Sequence, residues 1–231
     1  MPPAPRASSQ AGFTLTELLI ACAIIGIVMS GLLGIVMAGQ TSYQVGTNQL
    51  EAQQDLRLLV QRISKEIRDA GYCPTCGTGS PPIDPFASVI NATATGFTIQ
   101  NDWNGTWNGA NGIAAAGTVP HVVVNADGTT TTTQRGERIT YAFAAGTLTR
   151  QETGVDGAAV ALATNLAALT FTYLDATNTI LATPVSVANE GRIRTIVVTA
   201  VGQPQVQPAS FQGGRVQIAM TDTIRLRNRT P

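Results

Sequence analysis

Glu17 is a carboxylate placed just inside a long apolar stretch. It closes the segment Gly12-Phe13-Thr14-Leu15-Thr16-Glu17 and precedes 22 residues, Leu18 to Gly39, that carry no formal charge. Leu, Ile, Val, Ala, Met and Gly dominate that run, which is long enough to cross the hydrocarbon of a bilayer as one helix. An acid inside such a helix costs on the order of 3 kcal/mol even on lenient insertion scales, so it needs a partner. Its position points to an amine. A cut after Gly12 would give Phe13 a new α-amino group one helical turn from Glu17, at spacing i to i+4.

Other residue types with chemical potential are sparse. Cys22 lies within the apolar run and reads as a small apolar filler. Cys73-Pro74-Thr75-Cys76 has a spacing that suits a redox pair or half of a metal site. No second Cys pair accompanies it, and His121 is the only histidine. In an oxidising compartment the pair reads as a structural disulfide closing a tight loop, with a thioredoxin-like role as the alternative. Two tryptophans, Trp103 and Trp107, sit in a polar Gly-rich loop. They read either as a surface-binding tip or as rings folded back onto the core, and the second is favoured. No P-loop, dinucleotide fingerprint, metal cluster or nucleophile–base pair is present, so no catalytic residue, metal or cofactor is expected.

The elements that must carry these residues follow from periodicity. Residues 1–12 are a polar leader, excluded from the fold, and 13–39 form a membrane-spanning helix. That helix is expected to continue through 40–71 as an amphipathic segment. Leu56, Leu59, Val60, Ile63, Ile67 and Ala70 recur at steps of three and four, with Arg62–Glu66 and Lys65–Asp69 as i, i+4 pairs off the stripe. Gly71 and Pro74 end it. Residues 72–231 are expected to form a β-rich globular domain. Cys73 to Gly117 reads as loops with one short strand, Phe97 to Gln100. Val122-Val123-Val124 reads as a buried run. Ile139, Tyr141 and Phe143 alternate, and Ala144-Ala145-Gly146 turns the chain into Leu148–Gln151 as a hairpin. Leu169, Phe171 and Tyr173 alternate, Ile193–Val201 is a continuous β-branched run, and Val216, Ile218, Met220, Ile224 and Leu226 share one parity. An apolar sheet face needs a cover, which the stripe on Leu56–Ala70 supplies. The fold class is therefore α+β: a long N-terminal helix on a C-terminal antiparallel sheet.

Gly12-Phe13-Thr14-Leu15-Thr16-Glu17-Leu18-Leu19-Ile20 resembles the prepilin cleavage and methylation motif of type IV pilins and type II secretion pseudopilins. The resemblance implies that a membrane prepilin peptidase cuts after Gly12 and methylates Phe13. It also implies that Glu17 neutralises the amino terminus of a neighbouring subunit during filament assembly. Helix-then-sheet order is the pilin architecture. Segments such as Arg62–Tyr72, Ile139-Thr140-Tyr141 with Leu148-Thr149-Arg150, and Arg192–Ile196 also resemble, more loosely, PilW-type minor pilins. The implied function is a minor pilin that primes assembly of a type IV pilus. Its partners would be prepilin peptidase, other major and minor pilins, and the inner-membrane assembly platform. It would be held single-pass in the inner membrane with its C-terminal domain in the periplasm, then enter a filament at the cell surface.

Three plainer readings of the amino-terminal stretch compete. A secretory signal cleaved near Val36-Met37-Ala38 would have too long an apolar run, interrupted by an acid. A lipobox at Leu19–Cys22 would be followed by 17 more apolar residues. A plain anchor leaves Glu17 without a role. At the level of function, a type II secretion minor pseudopilin shares the leader, helix and acid. A filament-displayed adhesin or DNA-binding module would use Arg215, Arg225, Arg227 and Arg229 with Arg192 and Arg194 as a basic stripe. Alternating arginines are more often a solvated strand face, and the net charge of zero gives no field for nucleic acid, so nucleic acid is not expected as a partner.

Overall fold

The computed structural model describes residues 12–73, 86–103, 118–124, 128–203 and 217–228. The chain divides into two compact units, Met1–Thr47 and Asn48–Pro231. Helix α1 (Leu15–Asp69) supplies the secondary structure of the first unit and the opening element of the second. No charged residue other than Glu17 occurs in its first 25 residues, and the described side chains there are exposed.

In the second unit, all six residues of the amphipathic stripe, Leu56, Leu59, Val60, Ile63, Ile67 and Ala70, are buried. The strands they cover form two antiparallel sheets. One contains β1 (Val89–Thr93), β2 (Gly96–Gln100), β5 (Arg138–Ala144), β6 (Thr147–Glu152) and β7 (Val160–Ala163), in that spatial order. The other contains β8 (Leu166–Leu174), β9 (Ile180–Leu181), β10 (Thr195–Gly202) and β11 (Ile218–Arg225), in the order β11-β10-β8-β9. A separate ribbon pairs β3 (Thr118–Val124) with β4 (Thr130–Gly136). The short helix α2 (Val187–Glu190) packs near β1.

Register places the alternating apolar residues opposite one another, as a period-2 pattern requires. Tyr173, Phe171 and Leu169 of β8 face Ile196, Val198 and Ala200 of β10, while Ile196 also faces Ile224 of β11. In the first sheet Phe97 faces Tyr141 and Ile99 faces Ile139. The sheets meet at the β1–β2 turn. Phe171 N–H donates to Ala94 O at 2.9 Å, and Tyr173 Oη donates to Thr93 O at 2.8 Å. Phe97 and Phe171 cross edge to face with centroids 4.8 Å apart.

The helix is tied to both sheets. A Cβ on Gly202 of β10 would lie 2.9 Å from Leu56 Cδ1, so the helix approaches that strand as closely as glycine permits. Ser64 Oγ donates to Asp222 Oδ2 at 2.6 Å, and Tyr141 Oη donates to Glu66. The helix ends at Gly71, in the left-handed region at φ +79°, with its N–H on Gln100 O. Asn228, from the last described segment, donates its side-chain amide to Asp69 O and Ala70 O at 3.0 and 3.3 Å. Those carbonyls are among the four every helix leaves open at its C-terminus.

Two sequence expectations are corrected. The segment before Phe97 is not all loop, because β1 pairs with β2 as a hairpin. Asn91 at φ +52° and an irregular register between Ile90 and Thr93 break the alternation that would have marked β1. Val122 is not buried. It is 57% exposed, on a ribbon whose partner β4 is largely threonine and belongs to neither sheet. The Ala145-Gly146 turn joins β5 to β6 as expected, with both residues at positive φ.

Asp175 organises the turn after β8. Its Oδ1 accepts from Thr177 Oγ1, Thr177 N–H and Thr179 N–H at 2.7–3.0 Å, and its Oδ2 accepts from Arg192 at 3.0 Å. The Thr177 hydroxyl first, then the Thr179 N–H, hold this carboxyl below the ordinary carboxylate range. A depressed folded-state pKa gives stability that is complete above the unfolded value, about 3.9. That contribution is lost as pH falls through the folded value. Asp175→Asn is therefore expected to destabilise at neutral pH and to match the parent protein in acid. Urea midpoints measured across the acid limb check this, and a constant difference at every pH would contradict it.

Candidate assembly site

The amino-terminal chemistry begins at Gly12 and Phe13, which lie outside the helix; Phe13 is 91% exposed. Thr14 directly precedes α1 and caps it. Glu17 N–H donates to Thr14 Oγ1 at 3.3 Å. In return Glu17 Oε2 accepts from Thr14 N–H at 2.9 Å and from the Thr14 hydroxyl at 2.7 Å. Thr14-Leu15-Thr16-Glu17 is thus a capping box, which satisfies donors that the first helical turn leaves open. It also sets a negative group at the positive end of the helix dipole. The T-x-x-E spacing of Thr14 and Glu17 is the sequence signal of this local role. The two roles share one locus. The amine that a cut after Gly12 would create belongs to Phe13, the residue next to Thr14, whose N–H already reaches the same carboxylate oxygen.

Beyond the box, α1 is long and apolar enough to cross a membrane. Its backbone groups are paired within the helix, which is what a lipid-exposed segment requires. Two polar side chains of α1 turn back onto its backbone: Ser30 Oγ donates to Ile27 O at 2.7 Å and Thr41 Oγ1 to Met37 O at 3.0 Å. Cys22 is a free thiol exposed on this helix.

The second unit holds a charged cluster that periodicity did not reveal. Arg62 does meet Glu66, at 3.8 Å. Glu66 is nevertheless committed elsewhere: Arg150 Nε donates to both of its oxygens at 3.1 Å, and Tyr141 Oη donates to Oε2 at 2.5 Å. Arg150 Nη2 also donates to Glu152 Oε2 at 2.7 Å, and Nη1 lies 3.5 Å from Asp156 Oδ2. Burial disfavours the Arg150 charge, but Glu152 and Glu66 outweigh it and raise its pKa. Burial, then the neighbouring Glu66 charge, pushes the Tyr141 phenol far up. Arg150 thus stays charged and Tyr141 neutral, and the cluster clamps helix to sheet.

At the end of α1, Asp69 meets Arg135 at 3.8 Å rather than Lys65. Arg135 lies 3.3 Å above the Trp103 ring, which stacks on Tyr72 with centroids 4.8 Å apart. Burial lowers the Arg135 pKa. Trp103 is half-buried between Tyr72 and Arg135, residues outside the apolar core.

The remaining candidates do not converge. Cys73 is described, whereas Cys76, Trp107, Arg215 and Arg229 lie outside the described residues. His121 lies on β3. Arg192 is paired with Asp175, and Arg194 donates to the carbonyls of Gly191 and Ile193, so neither extends a free stripe with the exposed Arg225 and Arg227. Among the described residues no group of three or more His, Cys, Asp or Glu side chains is placed to hold a metal ion.

Residues 7–33 match the family described as the prokaryotic N-terminal methylation motif. No curated protein matches the chain. The matched span contains Gly12, Phe13, the capping box and the start of the apolar helix. The chain therefore carries the type IV pilin-like prepilin signal, joined to an α+β, pilin-like architecture of one long helix packed on antiparallel sheets.

Proposed function

We propose that this protein is a minor pilin of the PilW type, a structural subunit that primes assembly of a type IV pilus. Prepilin peptidase would cut after Gly12 and methylate Phe13. The apolar part of α1 would hold the subunit in the inner membrane with the β-rich unit in the periplasm, until the helix passes into a filament among other major and minor pilins. Cys73 and Cys76 would close a disulfide in that oxidising compartment.

The observation that carries this reading is the arrangement around Glu17. Its carboxylate sits at the mouth of an exposed apolar helix and, among the described residues, is held by Thr14, one residue from the proposed new terminus. In lipid, such a group is best satisfied by a cation that arrives with the correct neighbour, and a misplaced neighbour leaves it unpaired. The test is mass spectrometry of the mature protein from its native host. A chain starting at N-methylated Phe13 is the expected result. A start at Gly39 or at a lipidated Cys22 would overturn the reading.

A further inference from the structure

A sheet edge leaves backbone N–H and C=O groups without a strand to pair with, and proteins blunt such edges by shortening, bulging or covering them. Among the described strands, three of the four edges of the two sheets are blunted in this way. β9 has two residues. β7 has four, and its register with β6 slips between Leu148 and Thr149. On β1, Asn91 stands at positive φ and two backbone groups are taken from outside the sheet. Asn91 N–H donates to Glu190, and Ala92 O accepts from Val185 N–H at 2.8 Å. β11 is the exception. All eight of its residues pair with β10 in unbroken register, and none is proline, lysine or glycine. Among the described residues, no backbone hydrogen bond crosses its outer side.

Two clefts adjoin this open edge. Thr223 and Arg225, on the face of β11 turned away from α1, share one with Arg68 of the helix. Asp222, on the face that meets Ser64, shares the other with Lys65 and Arg68. Residues from both faces of the strand border the clefts, which places them along its edge. Four cations line them: Lys65, Arg68, Arg225 and Arg227. All four are exposed and, among the described residues, none is in an ion pair. Two acids line them as well, Asp222, which accepts from Ser64, and Asp69, which meets Arg135. Four positive against two negative side chains leave a formal excess of two positive charges. Residues 203–217, which lead into β11, contain no Asp or Glu to offset it. We infer that the outer edge of β11 receives an extended acidic segment of another protein as an added strand. At about 3.3 Å per residue, β11 offers a template roughly 26 Å long. Main-chain hydrogen bonds supply the affinity of such an addition. Carboxylates on alternate residues of the incoming strand share one face and meet the cations, which selects an acidic partner. The inference is independent of the minor-pilin reading, since it uses neither the amino-terminal signal nor the apolar part of α1.

The probe is a fluorescent octapeptide of alternating valine and aspartate, titrated by anisotropy against the full-length protein in uncharged detergent micelles. Saturable binding is expected, weakened roughly fivefold in 0.5 M salt, where screening is strong. Two further peptides carry N-methyl groups on every valine or on every aspartate. Successive N–H groups of a strand point to opposite edges, so at least one of these forms should bind about tenfold more weakly or worse. Arg68→Glu/Arg225→Glu changes exposed side chains that form no ion pair among the described residues, so the variant should fold. It should lose the aspartate peptide and gain the matching valine–lysine peptide. Hydrogen exchange locates the contact. Bound peptide should slow alternate amides between Ile218 and Arg225, because the others already face β10. No saturation by the aspartate peptide up to about 1 mM would overturn the inference. Unchanged binding by both methylated forms would do the same, as would protection confined to sites away from β11. Protection of these amides in concentrated protein without peptide would put a second copy on the edge and would equally remove the acidic partner.

Discussion

Arg150→Met is expected to lower the unfolding free energy of the second unit by about 3–5 kcal/mol, the cost of leaving buried charge without its partner. Arg150 is 11% exposed and stands between Glu66 and Glu152, which are 18% and 13% exposed. Removing the guanidinium leaves Glu66, Glu152 and Asp156 without the cation they share, with only the Tyr141 hydroxyl and the more distant, exposed Arg62 still on Glu66 among the described residues. The helix–sheet clamp is then repulsive at neutral pH. Urea unfolding of the full chain in detergent, followed by tryptophan fluorescence, measures the change. The paired variant Glu66→Met/Arg150→Leu should recover much of the loss, since well-packed apolar residues often replace a buried ion pair without cost. A loss below about 1 kcal/mol for Arg150→Met would class the cluster with ordinary surface pairs and remove its role as a clamp.

Glu17→Ala is expected to leave membrane insertion and cleavage intact and to abolish entry into filaments. The apolar run is unaffected by the change, and losing the acid makes insertion easier. What disappears is the group that, on the proposed subunit reading, would hold an incoming amino terminus in register. The capping box supplies the control. Thr14→Val removes the two hydrogen bonds that the Thr14 hydroxyl makes with Glu17, and keeps the carboxylate and the bond it accepts from the residue-14 N–H. If capping alone mattered, both variants would fail alike. If charge pairing matters, Thr14→Val still assembles and Glu17→Ala does not. Immunoblots of sheared filament and membrane fractions from the native host separate the two outcomes. Wild-type levels of Glu17→Ala protein in filaments would remove the mechanism.

Local patterns in the chain proved dependable where neighbours in sequence are neighbours in space. The stripe Leu56–Ala70 is buried throughout, the helix stops at Gly71, and Ala145-Gly146 makes the β5–β6 hairpin. Each depends on spacings of two to four residues, which helix and strand geometry translate directly into faces. Patterns failed where a strand departs from strict alternation, as in β1 with its positive-φ Asn91. They failed again at Val122, where a β-branched run lies in an exposed ribbon, because composition reports strand tendency and not what covers the strand.

The split in the candidate site has the same origin. The order Gly12-Phe13 through Glu17, the apolar helix behind it and even the Thr14–Glu17 box are written within a few consecutive residues, so sequence alone determined them. Glu66 is the contrary case. Its i, i+4 neighbour Arg62 is the partner that helix spacing offers, yet Arg150, 84 residues away, makes the shorter contact. Asn228 closes the helix from 159 residues beyond Asp69, and the pairing of β8 with β10 decides which apolar residues meet. These choices depend on strand order and register, which arise only when distant segments compete to bury their apolar faces together. Tertiary structure alone decided them, because a contact across such separations leaves no spacing to read.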